Sequence, residues 1–485
     1  MTSQHLKLIF TGFFMAFCQI ISATNPQDGY ELKVKVDNYK EDTLFLGYPM
    51  GNQFYIKDTA LLDKTSGFYI FKGEKKLPSG IYFLMMEKTT NLCELVISDE
   101  EEQYFTIKTN KNNPVKEIQL KTSPENELFF DYLKYLNKKS KEVEEIKKES
   151  QKDSVKTVLK LSKIDKDVKI YQAELVKTHD KTLTGKFVKS TLDIEIPAFE
   201  EVKNEKEKNV NKYFYYKKHY FDNVELGNQA LLRTPTLYQK VNTYVEQLTP
   251  AHPDSIIQSL NHVFNLMQPQ SETFQFYFLH YFNKYAKANL VGYDAITTHL
   301  SLEYIMKGKC IGFINQYDSL RLVDNAKKIF PLLIGKKAPD ITTFDKDNKP
   351  VNLHEIKAKY TILYFYDFDC GHCAKQSPEV VSFLKNARAK KIDVKVITVC
   401  SNSFEEREKC WKYGTEKGFD DCINTIDTYK LRQKQYDVYQ TPKVFVLDEN
   451  KIIRSKDIGA DKLDEIMDYI IEEDNMKLKE SLKKD

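Results

Sequence analysis

The most pointed chemistry in the chain lies in four residues, Cys370-Gly371-His372-Cys373, which follow the run Tyr360-Thr361-Ile362-Leu363-Tyr364-Phe365-Tyr366. Two thiols at this spacing can close into a disulfide or open to a dithiol, and the two states can exchange with disulfides elsewhere. The apolar and β-favouring run predicts a buried strand, Asp367 to Asp369 a turn, and Cys370 the opening of a helix. A cysteine there faces unpaired N–H groups and the positive end of the helix dipole, both of which favour thiolate over thiol. Cys370 is therefore expected to attack and form a mixed disulfide with a substrate, and Cys373 to resolve it. His372, as an imidazolium between them, would favour the thiolate and make the pair a better oxidant.

The elements around this pair must hold it in place. A second strand is expected at Val394 to Val399, a helix at Phe404 to Lys417, and a strand Lys443-Val444-Phe445-Val446-Leu447-Asp448 that turns at Glu449-Asn450 and resumes at Ile453. Thr441-Pro442 opens that hairpin, and a proline at a strand start serves a turn, an edge or a cis bond. A last helix from Ala460 to about Glu473 closes an α/β sandwich, and the charged tail beyond Asn475 is expected to fray.

From about Ile334 to Ile471 the chain resembles a thioredoxin-fold domain of the TlpA and ResA type, the envelope thiol-disulfide oxidoreductases. The likeness is carried by Gly335-Lys336-Lys337-Ala338-Pro339-Asp340, the Cys370 and Cys373 helix, Pro378 five residues past the second cysteine, and Thr441-Pro442. It implies a cis Pro442 that faces the reactive sulfur, with flanking backbone offering an edge to a substrate peptide. Gly371, His372, Thr441 and Pro442 are then supporting residues. It also implies protein thiol or disulfide substrates and a membrane electron donor or acceptor. The Gly-His pair is similar to that of protein disulfide isomerases, whereas the ResA-like context implies a reductase, so both directions of electron flow stay open. Two positions depart from the pattern. Asp369 replaces the usual tryptophan and is expected to raise the pKa of Cys370, and Tyr364 replaces the buried acid of thioredoxin, removing a proton acceptor for Cys373.

Other cysteines have plainer readings. Cys410 and Cys422 flank Trp411 and a glycine-containing turn, and are candidates for a structural disulfide or a second redox pair, with geometry deciding. Cys400 ends a strand and is expected to be inert, and Cys93 is read as a core thiol. A zinc site of Cys370, Cys373, Cys410 and Cys422 is disfavoured because the second pair lacks Cys-x-x-Cys spacing. His262, His280 and His299 stand too far apart for a local metal motif, so no metal and no cofactor is expected.

At 485 residues and 41% hydrophobic the chain can bury several cores. Its 73 basic and 70 acidic residues are too balanced for a nucleic-acid surface. Met1 to Ala23, with Lys7, an apolar run from Leu8 through Phe17 and Ile21-Ser22-Ala23, reads as a signal peptide, while Phe17 before Cys18 does not fit a lipobox. The mature protein is then expected in the periplasm or cell envelope, an oxidising compartment, with seven cysteines.

Four segments are expected: a signal peptide at 1–23, an antiparallel β-sandwich at 28–121, an α-helical domain at 123–330, and the α/β thioredoxin-like domain at 334–474. The β-sandwich is read from the alternation of Glu31-Leu32-Lys33-Val34-Lys35-Val36 and later glycine-led runs. Lys57-Asp58-Thr59-Ala60 and Leu77-Pro78-Ser79-Gly80-Ile81-Tyr82 make it resemble the β domain that precedes thioredoxin domains in envelope proteins of Bacteroidota. Helix starts are expected at Ser123-Pro124, Pro235, Pro253-Asp254 and Ser271. Aromatic residues between Phe274 and Tyr285 are read as core anchors. His219-Tyr220-Phe221-Asp222-Asn223 and Leu231-Leu232-Arg233-Thr234-Pro235 resemble the helical middle domain of the same family. Nothing in the sequence sets the oligomeric state. Besides dithiol-disulfide exchange, two functions compete: a non-enzymatic envelope scaffold with a vestigial redox pair, and a peroxiredoxin-like peroxidase, against which stands Asp367 at that family's threonine position.

Overall fold

A computed structural model describes residues 28–88, 90–149 and 154–482. The expected signal peptide and Cys18 lie outside the described residues. The chain divides into two compact units, the first running to Val241 and the second from Asn242. The helices expected at 123–330 are thus shared between the two.

In the first unit, β1 (Tyr30–Asp37), β2 (Thr43–Met50), β3 (Gln53–Asp63), β4 (Phe68–Gly73), β5 (Gly80–Glu87), β6 (Thr90–Ile97), β7 (Tyr104–Asn110) and β8 (Gln119–Lys121) form one sheet in the order β6-β5-β2-β3-β4-β1-β7-β8. Strand β3 joins its halves, pairing with β2 over most of its length and with β4 at Leu62 and Asp63. The sheet curls, so that Leu32 and Val34 of β1, Leu44 and Leu46 of β2, Leu84 of β5, Leu95 of β6 and Ile107 of β7 share one core. The alternation in β1 works as expected, with Leu32 and Val34 fully buried and Lys35 exposed. One pairing departs from the antiparallel expectation: β1 runs parallel to β7. No tight turn joins these strands, so nothing local forces them to be antiparallel.

Among the described residues, the unit also holds the α-helices α1 (Pro124–Glu149), α2 (Ser154–Thr178), α3 (Leu183–Thr191), α4 (Glu205–His219) and α5 (Pro235–Asn242), the last of whose residues belongs to the second unit. The buried carboxylate of Glu125 in α1 accepts the N–H groups of Leu183 (2.7 Å) and Thr184 (3.1 Å), so one charge satisfies two free donors at the start of α3. Asn126 does the same for the edge strand β6. Its amide accepts from Val96 N–H at 2.8 Å and donates to Val96 C=O at 2.7 Å.

The second unit opens with α6 (Pro253–Asn265), α7 (Glu272–Ala286), α8 (Asp294–Leu300) and α9 (Gln316–Ile329). Pro253 and Ser271 stand at the helix starts the sequence predicts, Ser271 accepting from Phe274 N–H at 3.2 Å. Phe274, Tyr277, Phe278, Tyr281 and Tyr285 are buried, as expected for core anchors. Then follow β9 (Thr342–Phe344), β10 (Pro350–Asn352), β11 (Tyr360–Tyr366), α10 (Gly371–Ala389), β12 (Val394–Cys400), α11 (Arg407–Lys417), β13 (Ile423–Ile426), α12 (Leu431–Tyr436), β14 (Lys443–Asp448), β15 (Ile453–Lys456) and α13 (Leu463–Ser481). The sheet order is β10-β9-β13-β12-β11-β14-β15, with β11, β12 and β13 parallel and β14 antiparallel to β11. This is the α/β thioredoxin-like fold. The last helix corrects one expectation, because α13 continues past Glu473 to Ser481; Arg454 binds Glu473 (2.9 Å) and Asp474 (2.8 Å) and anchors its middle.

All seven residues of β11 are buried, and alternation splits them between two cores. Tyr360, Ile362, Tyr364 and Tyr366 pack with α10, α11 and α13; Leu363 and Phe365 pack with Ile341, Val438 and Phe445 on the other face. Lys456 of β15, nearly buried, pairs with Asp294 of α8 and ties that helix to the sheet. The paired side chain at β6 is open to test. Asn126→Ala leaves two backbone groups of Val96 without partners and should lower stability by about 2–4 kcal/mol in urea unfolding.

Candidate active site

Strand β11, in the interior of the sheet, ends at Tyr366, and a short turn then reverses the chain into α10. The turn is closed by side chains. Asp367 Oδ1 accepts the N–H of Asp369 at 2.8 Å and the amide of Asn402 at 3.0 Å, while Asn402 Oδ1 accepts Phe368 N–H at 3.2 Å. Asn402 stands two residues past β12, so the neighbouring strand holds the turn. Ser401 N–H to Tyr366 C=O at 2.7 Å adds a backbone tie. The carboxylate of Asp367 is thereby engaged as an acceptor.

Cys370 caps α10. Its Sγ accepts the N–H of Cys373 at 3.2 Å, as a serine would at this position, and its thiol donates to the Thr441 carbonyl at 3.3 Å. Burial alone would raise this thiol, but hydrogen bonds from the Cys373 side chain and N–H, the Thr441 side chain and the His372 N–H outweigh it, and its pKa is lowered. The raised value expected from Asp369 is therefore corrected: that carboxylate is exposed, and the hydrogen bonds to Cys370, that of the Cys373 side chain first, prevail. Cys373 faces the other way. It is fully buried, and burial first, then its hydrogen bond with Cys370, pushes its thiol up to about 12. Cys370 is only half-buried, so the two sulfurs differ in access as well as acidity.

Gly371 and His372 are exposed. A Cβ at Gly371 would meet nothing within 4 Å, which leaves the face above the pair open. Thr441 and Pro442, joined by a cis peptide bond, lie against Cys370, so the structure brings together the four residues Cys370, Cys373, Thr441 and Pro442 from two distant stretches.

Beneath Cys373 lies a set of hydroxyls that sequence reasoning did not find. Tyr364, at the position where an acid was noted as missing, is fully buried, with its hydroxyl 3.2 Å from Ser377 Oγ. Ser377 in turn lies 3.0 Å from the hydroxyl of Tyr413 on α11. Pro378 sits inside α10 and has no N–H to give the Ala374 carbonyl. Lys417 Nζ takes that carbonyl at 3.3 Å and lies 5.5 Å from the centre of the Tyr413 ring.

The remaining cysteines correct two readings. Cys400 is bonded to Cys410, and Cys422 is free, so the Cys410–Cys422 pairing does not form and Cys400 is not an isolated thiol. Burial pushes Cys422 up to about 12. With Cys410 oxidised, the four-cysteine zinc set is also incomplete. The signal was present in the strand register: Cys400 pairs with Tyr366 across the parallel strands, which places it beside the site turn. Cys93 is buried, as expected of a core thiol.

Residues 334–456 match the AhpC/TSA family. Among solved structures, a domain of a possible thiol-disulfide isomerase from Cytophaga hutchinsonii is 33% identical over 32% of this chain and 99% of that one, with a TM-score of 0.27. The thioredoxin domain of a thiol-disulfide oxidoreductase from Bacteroides vulgatus is 20% identical over 28% and 96%, at 0.26. A putative thiol:disulfide interchange protein DsbE from Chlorobium tepidum is 20% identical over 28% and 94%, at 0.25. No curated protein matches the chain. A peptide map made without reductant should show Cys400 linked to Cys410 and Cys422 as a free thiol; a Cys410–Cys422 crosslink would contradict the pairing.

Proposed function

We propose that this chain, whose C-terminal domain belongs to the thioredoxin-like thiol-disulfide oxidoreductases of the AhpC/TSA family, exchanges dithiols and disulfides with protein clients through Cys370 and Cys373. The observation that carries this reading is the asymmetry of the pair: a half-exposed thiol held by helix N–H groups with a lowered pKa, above a buried one with a raised pKa. The Cys370 thiolate attacks one sulfur of a client disulfide, and the other client sulfur leaves as a thiolate. Cys373 then loses its proton and attacks Cys370 Sγ, releasing the second client sulfur. The client gains two electrons and the site becomes the Cys370–Cys373 disulfide. Run backwards, the same steps oxidise a client dithiol. The exposed Gly371 and His372 leave room for a protein chain over the sulfur, and Thr441 and Pro442 line its other side.

The peroxidase reading loses support, because Asp367, where a threonine would be needed, spends its carboxylate on the turn. Residence in the cell envelope and recharging by a membrane electron partner belong to the same proposal. Among the described residues no helix is long and apolar enough to cross a membrane. Trapping tests the roles. In Cys373→Ser, mixed disulfides with client proteins should accumulate, whereas Cys370→Ser should give none; equal trapping by both would refute the assignment.

A further inference from the structure

Cys370 caps α10 from an extended backbone, with φ −84° and ψ 114°, and that conformation aims its Sγ back at Cys373 N–H. The three residues before it set this aim. Cys370 N–H is held by the Asp367 carbonyl at 3.2 Å, so the cap takes its position from the turn of Asp367 to Asp369. Asn402 grips that turn twice: its Nδ2 donates to Asp367 Oδ1 at 3.0 Å, and its Oδ1 accepts Phe368 N–H at 3.2 Å. The carbonyl side of the same amide rests on a sulfur. Cys400 Sγ lies 3.3 Å from Asn402 Oδ1, and Cys400 is bonded to Cys410 of α11, both cysteines being fully buried. An unbroken chain of contacts therefore runs from the disulfide, through one amide, to the residues that carry the reactive thiol.

Titratable and charged groups reach this region from each element around it. Asp369 in the turn and His372 at the start of α10 are exposed, and Asp367 is engaged as an acceptor. Tyr364 of β11 and Tyr413 of α11 sense the charge on Cys370, and Lys409 of α11 senses Asp369 and sits 5.4 Å from the centre of the Phe368 ring. Asn402 is neutral, so its grip on the turn does not change with pH. We propose that Asn402 is a positioning residue for Cys370 and that the Cys400–Cys410 disulfide keeps it in place. This deepens the exchange reading above and rests on it. Asn402 acts through the turn and not on the reacting sulfurs. The disulfide is then part of what makes Cys370 reactive although neither of its own sulfurs exchanges, a role that suits a buried pair beside a half-exposed thiol.

The test follows alkylation of Cys370 by iodoacetamide against pH in the full chain, read by mass spectrometry of the Cys370 peptide. Limiting dithiothreitol opens the accessible Cys370–Cys373 pair first, and the linked Cys400–Cys410 peptide shows that the second bond is intact. Asn402→Ala should raise the midpoint of the profile, cutting the rate about 3- to 10-fold at about pH 6 and leaving it unchanged at about pH 10, where both proteins carry the thiolate. A mere loss of stability would leave the midpoint where it was and open buried Cys373 to label. Cys400→Ala combined with Cys410→Ala should move the midpoint the same way, and adding Asn402→Ala should move it little further, because all three changes break one chain of contacts. Should the paired replacement not fold, wild type with the Cys400–Cys410 bond opened by excess dithiothreitol supplies the same comparison. An unchanged midpoint in Asn402→Ala would overturn the positioning role. An unchanged midpoint without the disulfide, or full additivity in the triple variant, would overturn the part given to the disulfide, and exchange would stand in each case. A wild-type midpoint at the ordinary thiol value would remove the exchange reading and the positioning role together.

Discussion

Everything at the site depends on one short contact, the Cys373 N–H to Cys370 Sγ hydrogen bond at the first turn of α10. A helix start leaves N–H groups without partners, and a sulfur in the capping position is stabilised as an anion by accepting them. The same turn that exposes Cys370 to these donors carries Cys373 inward, where desolvation keeps it a thiol. One stretch of helix therefore makes two unlike sulfurs out of two identical residues.

The surrounding fold serves to fix that turn. Strand β11 is buried on both faces, so its end cannot drift without opening two cores. Asn402 binds the turn from both sides of its amide, and the Cys400–Cys410 bond ties the end of β12, next to Asn402, to helix α11. Pro378 costs α10 a backbone hydrogen bond, and Lys417 offsets it from the neighbouring helix. These contacts also bring Tyr413 against Ser377, so the bracing of the helix and the hydroxyl line beneath Cys373 come from one packing arrangement.

Much of this architecture could be read from residue patterns. The helix starts at Pro253 and Ser271, the alternation of β1 and the strand–turn–helix around Cys370 are local signals, and local signals survive folding. What escaped was set by contacts distant in sequence. The parallel pairing of β1 with β7 depends on register rather than turn chemistry, and the Cys400–Cys410 bond depends on which residues the strand ends bring together. The effect of Asp369 on Cys370 was misjudged for a related reason: an exposed charge is screened by water, whereas fixed hydrogen bonds are not. Ser377 and Tyr413 carried no sequence signal of their own, since a serine mid-helix and a tyrosine on an adjacent helix announce nothing until they meet.

The central claim is that Cys370, and not Cys373, is the thiolate of the reduced pair. Thiolate ultraviolet absorbance of the reduced chain, followed against pH, tests it directly when wild type is compared with Cys370→Ser and Cys373→Ser. A lowered pKa means the anion is already present at pH values where an ordinary thiol, with a pKa of about 8.5, is protonated, and is lost only as pH falls through the lowered value. The account predicts one such ionisation in wild type, absent from Cys370→Ser, with Cys373 ionising only far above it. A first ionisation at or above the ordinary thiol value, or one that survives in Cys370→Ser and vanishes in Cys373→Ser, would contradict it.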